Sequence, residues 1–205
     1  MKLKKILYEV LTERKQVGRV YHFTNFNSAL QIVLSNLIKA SRATKNIDGK
    51  TISTTRDNKF SKSRMNNDRL ATGGIDVSFA LNGDLLSDRY QVMPYDDAYD
   101  KTDKEFDADD KEAFGDEQEE VWYGKALEGE GGFRNMKKYV FDITLTKYFL
   151  KTLVQSPDKL KPKYGENKVD ELFPDIYDVT ISPQEKIKQI KDFFEKHGFV
   201  VNLEK

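Results

Sequence analysis

The 205-residue sequence contains no cysteine and only two histidines, His22 and His197. The first absence removes disulfides, thiolate nucleophiles and thiolate metal sites, and it agrees with a cytoplasmic protein. Two histidines far apart in the chain argue against zinc, so no metal is expected. No apolar run approaches the roughly 18 residues of a membrane span, so no membrane partner is expected. The opening MKLKKILYEVLTERK is basic but lacks a long apolar centre and a small-residue cleavage site. Leu3, Ile6, Leu7, Val10 and Leu11 fall on one helical face there, which predicts a helix rather than a signal peptide. An excess of one charge is also missing, since 34 Lys and Arg balance 34 Asp and Glu.

The charge is balanced in total but not in distribution. Residues 96–120 hold 13 acids against 3 lysines, a net charge of −10. Residues 39–69 hold 9 Lys and Arg against 3 Asp, a net charge of +6. Such runs are ordinary solvated loops, or else a basic segment that meets phosphates and an acidic one that flanks a site. Hydrophobic residues make up 38% of the chain, and 13 Phe and 10 Tyr supply large groups for a core. The length suits one domain.

RVYHF reads as a short strand and NFNSALQIVLSNL as a helix, with Phe26, Ala29, Leu30, Val33 and Leu37 at helical spacing and Asn25 or Asn27 as its cap. TISTTR (51–56) alternates β-branched and polar residues as a strand does, and residues 57–74 read as loop. IDVSFAL (75–81) alternates cleanly. NGD then predicts a tight turn, and RYQVM a returning strand. EEVWYG (119–124) is a short strand, and GEGG (129–132) a flexible link. In KKYVFDITLT, alternation places Tyr139, Phe141, Ile143 and Leu145 on one face. Near the C-terminus, Ser182, Pro183 and Glu185 form the cap, first position and capping box of a helix. Its apolar stripe is Ile187, Ile190 and Phe194, with His197 in the last turn and Gly198 ending it. FVVNL closes as a strand. The pattern predicts a single α+β domain over 1–205.

Three polar islands interrupt the apolar pattern. His22 stands at the end of a strand, as a core filler or as a ligand holder. Ser53, Thr54, Thr55 and Arg56 place hydroxyls and a phosphate-matching guanidinium at another strand end. Gln118, Glu119 and Glu120 precede a third strand, where close acids need a cation or a hydrogen-bonded partner.

Taken in order, these motifs resemble the ADP-ribosyltransferase superfamily. YHFTNFNSALQIVLSN is similar to the opening of the DarT-like DNA-targeting transferases and related phage-encoded proteins. Gln118-Glu119-Glu120-Val121-Trp122 is similar to the family's Q/E-x-E strand, with Glu120 in the place of the acting glutamate. ISTTRD together with FALNGDLLSDRYQVMPY looks like the middle of the phage-type branch. The resemblance covers about residues 19–146, with the C-terminal helix and strand (182–203) packed on that core. It departs from the histidine branch in having Phe23 rather than glycine after the histidine, as bulkier residues do in the DarT-like branch. The STT strand offers no stacking tyrosine, for which Tyr21, Tyr90 and Tyr95 are the candidates. Glu117-x-Glu119 is a second E-x-E in the other register.

The resemblance implies an α+β fold with split central antiparallel β-sheets and flanking helices. It implies transfer of ADP-ribose from NAD to a macromolecular acceptor, nucleic acid or protein, with loss of nicotinamide. NAD would be the co-substrate, and the site would be the host cytoplasm if the protein is phage-encoded. Glu120 would hold the ribose 2′-hydroxyl, and Gln118 or Glu119 would orient or deprotonate the acceptor. His22, with Phe23 and Thr24 beside it, would meet the adenosine ribose. Ser53 and Thr54 would brace the nicotinamide ribose or the glutamate, and Arg56 would meet the pyrophosphate. The alternative is an inactive binding module of the same fold, serving a phage or host interaction.

Overall fold

The computed structural model describes residues 18–40, 42–44, 47–56, 58, 75–94, 120–162 and 165–204. The expectations for a helix at 3–11 and for most of the 57–74 loop lie outside these residues. The architecture is α+β, with six α-helices among the described residues and several mainly antiparallel sheets. Strand β1 (Arg19–Thr24) leads directly into helix α1 (Phe26–Ser35). Strands β2 (Leu37–Lys39), β3 (Arg42–Thr44) and β4 (Ile47–Thr54) follow. Strand β5 (Val77–Asn82) precedes the short helix α2 (Gly83–Ser87) and strand β6 (Gln91–Pro94). Next come β7 (Glu120–Tyr123), α3 (Lys125–Glu130), β8 (Gly132–Arg134) and β9 (Val140–Leu145). Helices α4 (Lys147–Gln155), α5 (Lys168–Leu172) and α6 (Pro183–Lys196) lead to β10 (Val201–Leu203).

One sheet has the order β1-β5-β9-β10, a second β3-β4-β7-β6, and β2 pairs with β8 alone. All pairs are antiparallel except β9 with β10. The two larger sheets touch where Tyr21 and Thr55 exchange backbone hydrogen bonds of 2.7 and 2.9 Å. One apolar cluster runs through both, from Val20 and Phe79 to Trp122, Phe133 and Val201. Trp122 meets Phe133 edge-on at 5.4 Å, and Phe26 lies 4.7 Å from Phe149.

Local sequence chemistry accounts for several boundaries. Ser182 accepts from Glu185 N–H, Pro183 takes the first position of α6, and Gly198 lies just beyond at φ 86°. Asn25 caps α1 by accepting from Ser28 N–H at 2.8 Å. Asn27 is instead buried. Its amide donates to Glu166 O and accepts from Lys168 N–H, tying the segment before α5 to α1.

Three expectations are corrected. NGD is not a tight turn between strands but the start of α2. Asn82 caps it through Leu85 N–H, and β6 begins only at Gln91. GEGG is not a flexible link. Glu130 ends α3, Gly131 is its left-handed cap, and Gly132 starts β8 against β2. The even alternation across β9 fails at Phe141, because the pairing slips from Ala80↔Asp142 to Leu81↔Val140. That bulge inserts one residue, so Phe141 is 44% exposed while Ile143 and Leu145 are fully buried. The Arg19 guanidinium covers the Phe141 ring at 4.7 Å and pairs with Asp142 at 3.5 Å.

Candidate functional site where the two sheets meet

Alternation along β1 sets Val20, His22 and Thr24 on one face, opposite Leu81, Phe79 and Val77 of β5. Those three partners are fully buried, so His22 and Thr24 are polar residues set against an apolar strand face. Its ring is half-buried, and its Nδ1 lies 3.1 Å from the carbonyl oxygen of Ser53 on β4. A carbonyl can only accept, so Nδ1 carries a proton and donates here. This contact links the two sheets one residue away from the Tyr21–Thr55 bridge.

On its other side β4 pairs with β7, matching Ile52 to Trp122, Ser53 to Val121 and Thr54 to Glu120. Strand β6 flanks β7 and sets Pro94 opposite Glu120. Residues directly opposed in an antiparallel pair share a face, so residue 120 sits on the Thr54 side of the sheet. The Trp122 indole N–H donates to Thr54 Oγ1 at 2.8 Å, in a contact closed to water. Thr54 is therefore a buried brace between β4 and β7, one register step from the middle of their pairing.

The structure thus brings the three islands to adjacent strands in the order β1, β4, β7. His22, Ser53 and Thr54 are in direct or near contact, and Glu120 is opposite Thr54. Phe23 and Thr24 finish β1, opposite Ser78 and Val77. Arg56 follows Thr55 and is exposed. Gln118 and Glu119 lie outside the described residues, as does the acidic run 96–120 up to its last residue. Among the tyrosines, Tyr90 is excluded as a stacking surface. It is buried against Phe133 at 5.1 Å, and its hydroxyl donates to Glu130 at 2.8 Å. Tyr21 is half-buried on β1, and Tyr95 lies outside the described residues.

The N-terminus of α1 directly follows β1, and helix N-termini commonly hold phosphates. Here three of its donors are already used. Ser28 N–H goes to Asn25, Ala29 N–H to the Asn25 carbonyl, and Phe26 N–H to Asp76 Oδ2 at 2.9 Å. Asp76 is the residue that sequence reasoning missed, since it read only as part of the alternating strand IDVSFAL. It is 4% exposed, and burial raises its pKa to about 7 despite the Phe26 hydrogen bond, which lowers it. A phosphate near His22 would therefore depend on side-chain cations such as Arg56 and not on this helix end.

The fold and site together define an α+β protein in which His22, the Ser53–Thr55 strand end and the start of β7 at Glu120 lie on neighbouring strands where two sheets adjoin. Comparisons with protein-family models, with curated proteins and with solved structures returned no match. Among the described residues, no group of three His, Cys, Asp or Glu could hold a metal ion, and no helix is long and apolar enough to cross a membrane.

Proposed function

We propose that the protein is an NAD-dependent ADP-ribosyltransferase built on split antiparallel sheets. The observation that supports this most is the side-by-side order of β1, β4 and β7, with His22 bonded to Ser53 O and Thr54 opposite Glu120. The motif resemblance needs segments distant in sequence to meet around one dinucleotide, and these three adjoin.

In this reading the C1′–N bond of NAD breaks and its electron pair leaves with nicotinamide. Positive charge builds on the ribose, as in glycoside hydrolysis. A carboxylate on the ribose 2′-hydroxyl binds more tightly as the ring becomes cationic, which is the role of Glu120. The acceptor then attacks C1′ and gives up its proton to Glu119, with Gln118 orienting it. His22 Nε2 accepts from a hydroxyl of the adenosine ribose, beside Phe23 and Thr24. Ser53 braces the nicotinamide ribose, Thr54 braces the strand of the glutamate, and Arg56 meets the pyrophosphate.

The test uses NAD labelled in its adenylate half, incubated with the protein and a mixed cell extract. Label retained by macromolecules is then sorted by nuclease and by protease digestion. Transfer is expected with the wild type, and a loss of at least about 100-fold with Glu120→Gln at unchanged fold, as for removal of one transition-state contact. A dead Glu119→Gln beside an active Glu120→Gln would move the role by one residue. Absence of both transfer and NAD-dependent thermal stabilisation would leave the binding-module alternative.

A further inference from the structure

Asp76 lies where five elements meet. It precedes β5, whose Val77 pairs with Thr24 at the end of β1. Its carboxylate accepts from Phe26 N–H, the first residue of α1. Its backbone carbonyl accepts from Thr146 N–H at 3.0 Å, while the Thr146 hydroxyl lies 2.6 Å from the Ile75 carbonyl and 3.1 Å from that of Asp76. Thr146 follows β9 and caps α4 by accepting from Phe149 N–H. Phe26 and Phe149, at the starts of the two helices, pack on each other. Two strand-to-helix turns are thus anchored on one residue: α4 on its backbone, and α1 on a buried acid.

Helix α1 and strand β5 carry no charged or titratable side chain in FNSALQIVLS and VSFALN. Strand β1 carries Arg19, Tyr21 and His22, and β9 carries Asp142. Helix α4 begins with Lys147, whose N–H is taken by Glu204 at 2.7 Å, and carries Tyr148 and Lys151 after it. Helix α5, which packs on α1, carries Lys168, Asp170 and Glu171, with Glu166 just before it. The state of Asp76 is set by burial and by the Phe26 bond.

We propose that the Asp76 junction is a proton-sensitive latch on the β1–α1 turn: the neutral acid holds the first turn of α1 against β5, and the carboxylate favours its opening to water. The segment from His22 to the start of α1 then becomes less ordered as pH rises from about 4 to about 7. The sign follows from linkage. An acid whose pKa is about 7 when closed, against about 4 when hydrated, binds its proton more tightly in the closed state. Closure is therefore fully favoured at low pH, weakens as pH rises between those two values, and is constant above them. The latch goes beyond the transferase reading and does not depend on it.

Amide hydrogen exchange of the intact chain, corrected for the intrinsic pH dependence of exchange, tests this at residues 26–30. The opening equilibrium of wild type should rise roughly 100-fold between pH 5 and pH 8, because each unit of linked titration is tenfold. Asp76→Asn keeps an acceptor for Phe26 N–H but cannot ionise, so its profile should be flat. His22→Gln should keep the wild-type dependence, which separates the acid from the nearby imidazole. A flat wild-type profile overturns the latch. So does a dependence that persists in Asp76→Asn or vanishes in His22→Gln. Should Asp76→Asn fail to fold, the wild-type and His22→Gln profiles still decide.

Discussion

The hydroxyl of Thr54 illustrates what single residues can and cannot announce. In sequence, Ser53-Thr54-Thr55-Arg56 is one polar island with four candidate ligand contacts. In the fold, Thr54 faces inward and accepts from the Trp122 indole, while Ser53 offers His22 its backbone carbonyl and not its hydroxyl. Strand alternation could have separated the two faces in advance, but only a partner strand reveals that an indole waits there. Removing the acceptor leaves a buried N–H without a partner. Thr54→Val should therefore cost about 1–3 kcal/mol, read as a shift in urea midpoint at unchanged slope. Thr54→Ser keeps the oxygen and should recover most of that loss. If Glu120 acts as proposed, Thr54→Val should also lower turnover more than it raises the KM for NAD, because it loosens the strand opposite the glutamate and not the ligand contacts. Equal stability of Thr54→Val and Thr54→Ser would remove the hydrogen bond from the account.

At the scale of elements, legibility followed the range of the cause. The start of α6 was legible because the Ser182 cap and Pro183 are adjacent in sequence. So were β1, β5 and most of α1, whose periodicity is internal; Leu37, at helical spacing in the sequence, instead opens β2 after the left-handed Asn36. The α2 start was not, since Asn-Gly-Asp serves a hairpin turn or a helix cap equally well, and only the following Leu85 N–H decides. The β9 bulge was not, because its cause is the register of β5. Gly131 and Gly132 make the same point within one dipeptide. Both have positive φ, of 71° and 143°. A Cβ at Gly131 would meet nothing within 4 Å, whereas one at Gly132 would lie 1.9 Å from the Ile38 carbonyl oxygen on β2. Gly131→Ala should therefore cost only the left-handed backbone term, about 1 kcal/mol. Gly132→Ala must push β2 and β8 apart, so a loss above about 3 kcal/mol, or failure to fold, is expected. Two similar midpoints in chemical unfolding would mean that the close approach of β2 and β8 is relaxed in solution.

At the scale of the whole molecule, the question is whether the two larger sheets behave as one body. Among the described residues their backbone junction is a single bridge at Tyr21–Thr55, beside the His22–Ser53 contact. By itself such a seam would let them move apart. The core argues otherwise. Trp122 of the second sheet is fully buried and packs on Phe133, which belongs to the β2–β8 pair that follows α1. The same apolar cluster continues through Val20, Phe79 and Ile143 of the first sheet to Ile190 and Phe194 of α6. Splitting the sheets would expose that shared surface, at about 25 cal/mol for each Å² of apolar area. Unfolding should therefore be one transition. Trp122 is the only tryptophan of the chain and reports the second sheet alone. Far-ultraviolet circular dichroism reports all helices, chiefly α1, α4 and α6. The two signals should share a midpoint and slope in urea. The midpoint should also be lower at pH 8 than at pH 5 in the wild type and change less in Asp76→Asn, since a buried acid that gains its proton on folding favours the acid side. A tryptophan transition clearly ahead of the dichroism signal would show the second sheet coming away first, and the region around His22 and Glu120 would then be a seam between two folding units.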